Sequence, residues 1–524
     1  MDGRVEGLPR DEPASRDVFI VFSKSEPTEA RFALAIKDGL ERMGRFAYEY
    51  EHWSWFEQIA KPSETEADVN RPTLRAMLQT ALAVVVIPPH GDVATAGVTT
   101  ELDMLAELRL PILLLRWDYP RDTFEYPGLN VVYSYQVHGN APNDRWMSAA
   151  GGQLGELAWL ACIIAELRTK YAPIGQIILD QLPAFGREAL TSFHLTTGRV
   201  HEDDYLRELE PAAIAASVVL ASNEQQLKVL IERCWAEAEP ALRFLRKHGH
   251  GPVRRPCSAL HDAMGAVVEQ ARHQYPALNE YSADALQRRG IAFTRFGEHA
   301  NAIEALTKAV DLADRYVSRV YAARAVAHEE QGDLSLALED MDAAVAAAED
   351  DREEIVHRFT RAVFRAKVKT PDAFRSVLED YDRILELTAE PSMQLNVLNY
   401  RAMTHGQLGE IDAALADWKQ VVDRHAEAPR AAAQARLNRA GYLRHLGRLP
   451  EADEDLTAVI GWADVSSVQR FRALNARAEV REGLRQFGAA AEDIEALLAM
   501  NLADPEWRPE LQQKLQSLRE TAAP

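Results

Sequence analysis

The sequence predicts an open parallel α/β sheet at the amino end, then an all-α region, then an α-solenoid. Three observations predict it. Between 17 and about 150, short apolar runs alternate with stretches of helical spacing, the order of a parallel sheet with crossover helices. From 151 to 280 the only regular signal is helical spacing. From 283 to about 500, arginine returns at 289, 324, 361, 401, 439 and 477, at intervals of 35, 37, 40, 38 and 38.

The elements follow in order. Residues 1–16 are polar, contain proline and have no apolar signal core, so they read as a disordered leader. Asp17-Val18-Phe19-Ile20-Val21-Phe22-Ser23 is an apolar strand that runs into a polar loop. Phe32 to Met43 has helical spacing, and Phe46 to Glu51 reads as a strand. His52 to Asp68 is a long polar loop that opens on Trp53, Trp55 and Phe56; loops of this length are functional or disordered. Pro72 to Ala81 resumes a helix with Pro72 in its first turn. Leu82 to Ile87 is a strand, a helix starts at Thr99-Thr100-Glu101-Leu102, and Pro111 to Leu115 is the next strand. Sheets of this kind bind ligands beyond the carboxyl ends of their strands, which makes the Glu101 carboxylate a candidate. An acid in a first helical turn also serves stability alone, and Thr100 with Asp103 reads as a variant capping box. Leu154 to Tyr171, Ile214 to Ala221 and Gln225 to Phe244 carry helical spacing. Lys247 to Pro252 breaks the pattern and reads as a loop. Its His248 and His250, near Arg254 and Arg255, fit a solvated loop better than a metal site.

A chain of 524 residues exceeds one hydrophobic core. Its 47% hydrophobic and 27% charged content is that of globular protein. The net charge of −21 is spread along the chain, with no basic tail. Free nucleic acid and anionic membrane, which need clustered Lys and Arg, are therefore not expected partners. Cys162, Cys234 and Cys257 form no metal motif, and their odd number fits a reducing compartment. The longest apolar run, near Leu157 to Ala165, is shorter than the roughly 20 residues a bilayer needs. The expectation is a cytoplasmic protein with no bound metal and no resident cofactor.

The carboxyl half is built on one repeat. Eight residues after most of the arginines stands glycine (Gly297, Gly332, Gly409, Gly447). Thirteen residues after stands alanine (Ala302, Ala337, Ala414, Ala452, Ala490). Acids recur at Asp340, Asp417, Asp455 and Asp493. Each unit is a helix, a turn at glycine and a second helix. Glycine suits the turn because it takes φ > 0 after a helix end, and alanine lets the paired helices approach. One pair cannot bury its apolar face alone, so neighbours must stack. The third unit departs, with Lys369 and Phe374 at the two sites and a short insertion. The regular arginines are expected to make inter-helix hydrogen bonds. The pattern resembles the tetratricopeptide repeat (TPR), with six repeats over 283–500 and a helical cap or tail over 501–524.

The amino-terminal domain resembles the Toll/interleukin-1 receptor (TIR) domain. The resemblance is carried by Asp17 to Ser23, Val84 to Ile87, Thr99-Thr100-Glu101-Leu102, and Pro111 to Leu115 followed by Arg116-Trp117-Asp118-Tyr119-Pro120. It implies a flavodoxin-like parallel sheet over 17–150; by its helical spacing 151–280 reads as a helical linker or middle domain. The join to a TPR array resembles bacterial TIR–TPR proteins of antiviral defence. In enzymatic members of the family, a Glu at the position of Glu101 cleaves the nicotinamide–ribose bond of NAD+. The cationic pyridinium is already a good leaving group, so no general acid is needed. A carboxylate beside the ribose can stabilise the oxocarbenium character left behind. The resemblance places the nucleotide near Phe22 and Ser23. It makes Trp53 and Trp55 candidates for stacking on a base or packing on a neighbouring TIR domain. Arg116, with Trp117 beside it, could offset a phosphate.

Three readings of function follow. One is an NAD+-cleaving effector in which the array senses a protein or peptide trigger and TIR domains assemble into a homo-oligomer, latent until then. The second is a non-catalytic signalling scaffold. The third is a deoxyribosyltransferase-like enzyme, which also breaks an N-glycosidic bond with a carboxylate.

Overall fold

A computed structural model of the chain describes residues 17–21, 27–43, 47–48, 80–87, 96–117, 129–138, 144–182, 191–194, 199–201, 210–249, 251–424, 429–462, 465, 467–500 and 508–522. The chain divides into two compact units, Arg10–Ala313 and, among the described residues, Asp314 onward.

The first unit is built on one sheet. Its strands are β1 (Asp17–Val21), β2 (Ala47–Tyr48), β3 (Thr80–Ile87), β4 (Pro111–Trp117), β5 (Asn130–His138), β6 (Thr191–His194) and β7 (Arg199–His201), in the order β2-β1-β3-β4-β5-β6-β7. All neighbours are parallel except β6 and β7. Helices α1 (Pro27–Arg42) and α3 (Asp144–Thr169) cover one face, and α2 (Ala96–Leu108) covers the other. Side chains of a strand alternate between faces, and the two cores obey this. Val18, Ile20, Val84, Leu113 and Leu115 pack with α1 and α3. Phe19, Val21, Ala83, Ile112 and Leu114 pack with Leu102 and Leu105 of α2. A sheet buried on both faces needs nearly continuous apolar strands, which is why β1, β3 and β4 are legible in the sequence.

Several expectations are corrected. Residues 151–280 are not all-α, because β6 and β7 extend the sheet beyond β5. Their short polar sequences carry no strand signal of their own and depend on pairing with β5. Helix α3 begins before residue 150 and runs past it. Thr80 and Ala81 open β3 rather than closing a helix, and 72–79 lie outside the described residues. Helix α2 begins three residues before Thr99, so Thr100 and Asp103 are helix interior, and no acid stands in its first turn.

The middle region adds α4 (Ile174–Asp180), α5 (Pro211–Leu220), α6 (Glu224–Val229), a π-helical turn (Leu230–Trp235), α7 (Ala236–His248) and α8 (Gly251–Gln274). It is no separate body: one apolar core runs from Val18 on β1 to Leu278. Within the expected loop over 247–252, Lys247 and His248 end α7, and Gly251 and Pro252 open α8.

Six helical hairpins follow. The first, α9 (Ala283–Arg295) with α10 (His299–Leu312), belongs to the first unit. The second unit holds α11 (Val317–Gln331) with α12 (Leu334–Ala346), α13 (Asp351–Val368) with α14 (Pro371–Leu387) and α15 (Pro391–Leu408) with α16 (Ile411–Asp423). It continues with α17 (Pro429–His445) and α18 (Leu449–Gly461), α19 (Ser467–Gly483) and α20 (Phe487–Ala499), and a last helix α21 (Arg508–Ala522). Partners pack within each hairpin, and within the second unit each hairpin packs against the next. The recurrent alanines at 302, 337, 414, 452 and 490 are wholly buried, and Val377 takes that place in the third hairpin.

All six hairpin turns pass through a left-handed residue: Gly297, Gly332, Lys369, Gly409, Gly447 and Arg485, with φ of 75, 98, 58, 77, 74 and 59°. Backbone geometry is therefore common to all six, although glycine is not. A side chain in that conformation costs roughly 1 kcal/mol. Lys369→Gly and Arg485→Gly are each expected to stabilise the second unit by about 1 kcal/mol, read as a higher urea midpoint at unchanged slope.

Candidate functional site

The chain leaves β1 toward β2 on one side and enters β3 on the other. The order β2-β1-β3-β4-β5 therefore puts a switch point beyond the carboxyl ends of β1 and β3, where doubly wound sheets bind ligands. Phe22 and Ser23, just after β1, and Trp53 and Trp55 lie outside the described residues. Arg116 and Trp117 are the last residues of β4, with Arg116 in register with Ile87 at the end of β3. Their side chains are likewise outside the described set. Glu101 is the sixth residue of α2, the helix that follows β3. It is half-buried, beside the wholly buried Leu102 and Leu105. At 1.5 Å per residue it sits about 7.5 Å along the axis from the first residue of the helix. The positive end of a helix dipole acts within the first turn, so this carboxylate gains less from the dipole than a first-turn position would give.

The second unit holds the most regular chemistry in the molecule. Each recurrent arginine grips a buried aspartate of its partner helix. Arg324 donates to Asp340 through Nε at 2.9 Å and Nη2 at 2.7 Å. Arg401 binds Asp417 at 2.8 and 2.7 Å, Arg439 binds Asp455 at 2.6 and 2.5 Å, and Arg477 binds Asp493 at 3.1 and 2.6 Å. The pairs are 16 residues apart in sequence and join the two helices of one hairpin. Such forks are strong because a planar guanidinium matches a carboxylate with two charge-assisted bonds. The same arginine often reaches the previous hairpin as well. Arg361 donates to Asp342 at 2.7 Å, Arg401 to Asp382 at 2.6 Å, and Arg477 to the Thr457 hydroxyl at 2.9 Å. One side chain thus closes its own hairpin and registers it on its neighbour. Hydrogen bonds to Asp417 and Asp382 hold Arg401 well above the usual arginine range, against the opposing effect of burial.

Sequence spacing missed two members of this set. In the third hairpin the acid is Asp380, 19 residues after Arg361, because three extra residues follow the turn at Lys369. Asp380 is wholly buried and accepts from Arg358, Arg361 and Arg365. In the first hairpin the position 16 residues after Arg289 is Ala305. Arg289 instead lies 2.8 Å from Glu239 of α7, which is also near Arg243 and His261. Burial raises the Glu239 carboxyl, but His261, Arg289 and Arg243 together bring it below its usual range. A break in period was the only available signal, and it named no partner.

Beside these forks the second unit exposes apolar side chains. Phe359, Tyr381 and Tyr400 form a ring cluster on α13, α14 and α15 with centroids 5.3 to 6.4 Å apart. Tyr400 and Met403 of α15 are more than 40% exposed, which a purely structural position does not need. Nearby, Asn399 accepts from Trp418 Nε1 at 3.0 Å and from Asn438 Nδ2 at 3.1 Å. Asn399 and Trp418 are buried, so these bonds belong to the packing beneath the exposed Tyr400 and Met403.

Buried His357 on α13 has an Nε2 without a hydrogen-bond partner. Burial lowers its pKa, with Arg319 acting in the same direction and Glu353 opposing. A histidine depressed in the folded state keeps its full stability above the unfolded value near 6.5 and loses it as pH falls toward the folded value. Melting temperature is therefore expected to decline below about pH 6.5, and His357→Leu is expected to flatten that limb. An unchanged limb would remove His357 as its source.

Among the described residues no cluster of His, Cys, Asp and Glu could hold a metal ion, and no helix is long and apolar enough to cross a membrane. Cys162, Cys234 and Cys257 are buried.

No protein-family model matches the chain, and neither does any curated protein. Solved structures do align with it. A tetratricopeptide repeat protein from Parabacteroides merdae is 17% identical over 54% of this chain and 99% of its own, with a TM-score of 0.33. The C-terminal part of a TPR repeat-containing protein from Cytophaga hutchinsonii is 13% identical over 47% of this chain and 98% of its own, at 0.33. A signal-transduction ATPase with a tetratricopeptide repeat sensor from Pyrococcus horikoshii is 11% identical over 99% of this chain and 96% of its own, at 0.35. The hairpin architecture itself rests on the repeated turns, buried alanines and Arg–Asp forks of this chain.

Proposed function

We propose that the hairpin array captures a protein segment and that the α/β module is an effector that cleaves the nicotinamide–ribose bond of NAD+. The observation that carries the catalytic part is the strand order β2-β1-β3-β4-β5, with Glu101 on the helix that follows β3 at the switch point. In this reading the C–N electron pair leaves with nicotinamide, which becomes neutral. The ribose carries the positive charge past the Glu101 carboxylate, and water adds to it and releases a proton. Capture of a trigger by the array would assemble the modules and complete the crevice. The aromatic ridge at Tyr400 and Met403 is the surface proposed for capture.

The test is nicotinamide release from NAD+ by concentrated protein, native and Glu101→Gln, with and without a crowding agent. The native protein is expected to release nicotinamide and Glu101→Gln to fall to the level of buffer. Equal release by both would remove Glu101 from the chemistry. A second reading, a non-catalytic scaffold, is favoured by the second-turn position of Glu101. Silence of both proteins under every condition, with the array still binding partners, would establish it.

A further inference from the structure

At three junctions between hairpins of the second unit, an arginine of the incoming helix reaches back to the helix before it. The acceptor stands two residues after the buried fork acid: Asp342 after Asp340, Asp382 after Asp380 and Thr457 after Asp455. Arg361, Arg401 and Arg477 each reach it through Nη1. Arg365 and Arg481, four residues further on, add second bridges to Asp342 at 3.1 Å and to Asp453 at 2.9 Å.

The junction between α16 and α17 departs at both positions. Lys419 stands two residues after Asp417, and Leu443 stands four after Arg439. Arg439 spends Nε and Nη2 on Asp455 of its own hairpin, and among the described residues it makes no bond to α16. Asp423 of α16 attracts it without bonding, and Lys419 holds that acid within its own helix. Neutral contacts cross here instead. Asn438 donates to Asn399 at 3.1 Å and to Met403 Sδ at 3.5 Å, and the Tyr442 ring lies 5.5 Å from that of Trp418.

We propose that the α16–α17 junction is a shear point that divides the second unit into two cooperative blocks, α11–α16 and α17–α21. In a stacked array each hairpin couples only to its neighbours, so the interface without a directional bond yields first. A guanidinium bonded on both sides fixes two helices at one register, whereas packed apolar side chains and rings stay in contact while helices slide a little. Sliding here carries the exposed Tyr400 and Met403 of α15 past α17 and reshapes the ridge proposed for capture. The division itself depends on neither the NAD+ reading nor the capture reading.

Peptide-resolved hydrogen exchange of the full chain, in a series of low urea concentrations, reads the opening of each block. The native protein is expected to show two levels of protection that differ severalfold and meet between α16 and α17. Lys419→Asp supplies an acceptor at the position matching Asp382. It is expected to raise the less protected block by about two- to fivefold toward the other. Asp382→Asn removes the bridge at the α14–α15 junction and is expected to place a second boundary there. Both side chains are exposed, so neither change disturbs the core. One level of protection throughout α11–α21 of the native chain overturns the proposal. So do two levels that stay as far apart in Lys419→Asp, or an Asp382→Asn array with no new boundary.

Discussion

Asp417→Ala is expected to destabilise the second unit by about 2–3 kcal/mol, the loss of two charge-assisted hydrogen bonds in a largely buried fork. Asp417 is buried, and both of its oxygens are taken by Arg401. Removing the acid leaves the guanidinium with only Asp382 of the previous hairpin to hold it. The loss should therefore spread beyond one hairpin and broaden the unfolding transition, as coupling between neighbouring repeats weakens. The double variant Arg401→Met/Asp417→Leu should recover most of the loss, because replacing both partners leaves no orphaned charge. Chemical unfolding of the two single variants and the double variant measures this as a cycle. Additive losses would mean that the fork is not the source of the stability.

Gly155→Val is expected to cost the first unit about 3 kcal/mol or more, at the upper end of overpacking effects. Helices α1 and α3 cross there with almost no space between backbones. A Cβ on Gly155 would lie 2.4 Å from the Gly39 Cα and 2.9 Å from the Leu40 nitrogen. Neither is the end of a flexible side chain, so the helices must part. Parting them would open the core that joins β1, β3 and β4 to the middle region. Gly265→Ala on α8 is the matched control. Its Cβ would meet Trp235 at 3.7 Å, an ordinary contact, and alanine gains about 1 kcal/mol of helix propensity. Thermal melting of the two variants should move in opposite directions. A Gly155→Val protein that melts like the native one would show that α1 and α3 do not cross this closely.

The hairpin array was the most legible part of the chain. Its arginines, glycines, alanines and aspartates recur because each hairpin solves the same packing problem, so a local rule repeated along the sequence carries the architecture. The recurrence even marked the exception: Lys369 holds the glycine conformation, and the three residues after it move the buried acid to Asp380. The strands β1, β3 and β4 were legible for a related reason. They are buried on both faces and so are apolar throughout.

What the sequence could not fix were features that depend on distant neighbours. Strands β6 and β7 have no pattern of their own and exist through pairing with β5. The start of α2 was read three residues late because a threonine pair looks like a cap from sequence alone, whereas the helix already runs through it. Arg289 was assigned to the repeat by its spacing, yet its acid lies on α7, 50 residues earlier. Strands β1, β3 and β4 and the succession of hairpins were legible locally, since periodicity follows from which face of an element is buried. Which carboxylate each arginine grips, where Glu101 sits along its helix and which glycine lets two helices touch came from the packed fold. Those depend on distances between elements, and no local pattern encodes them.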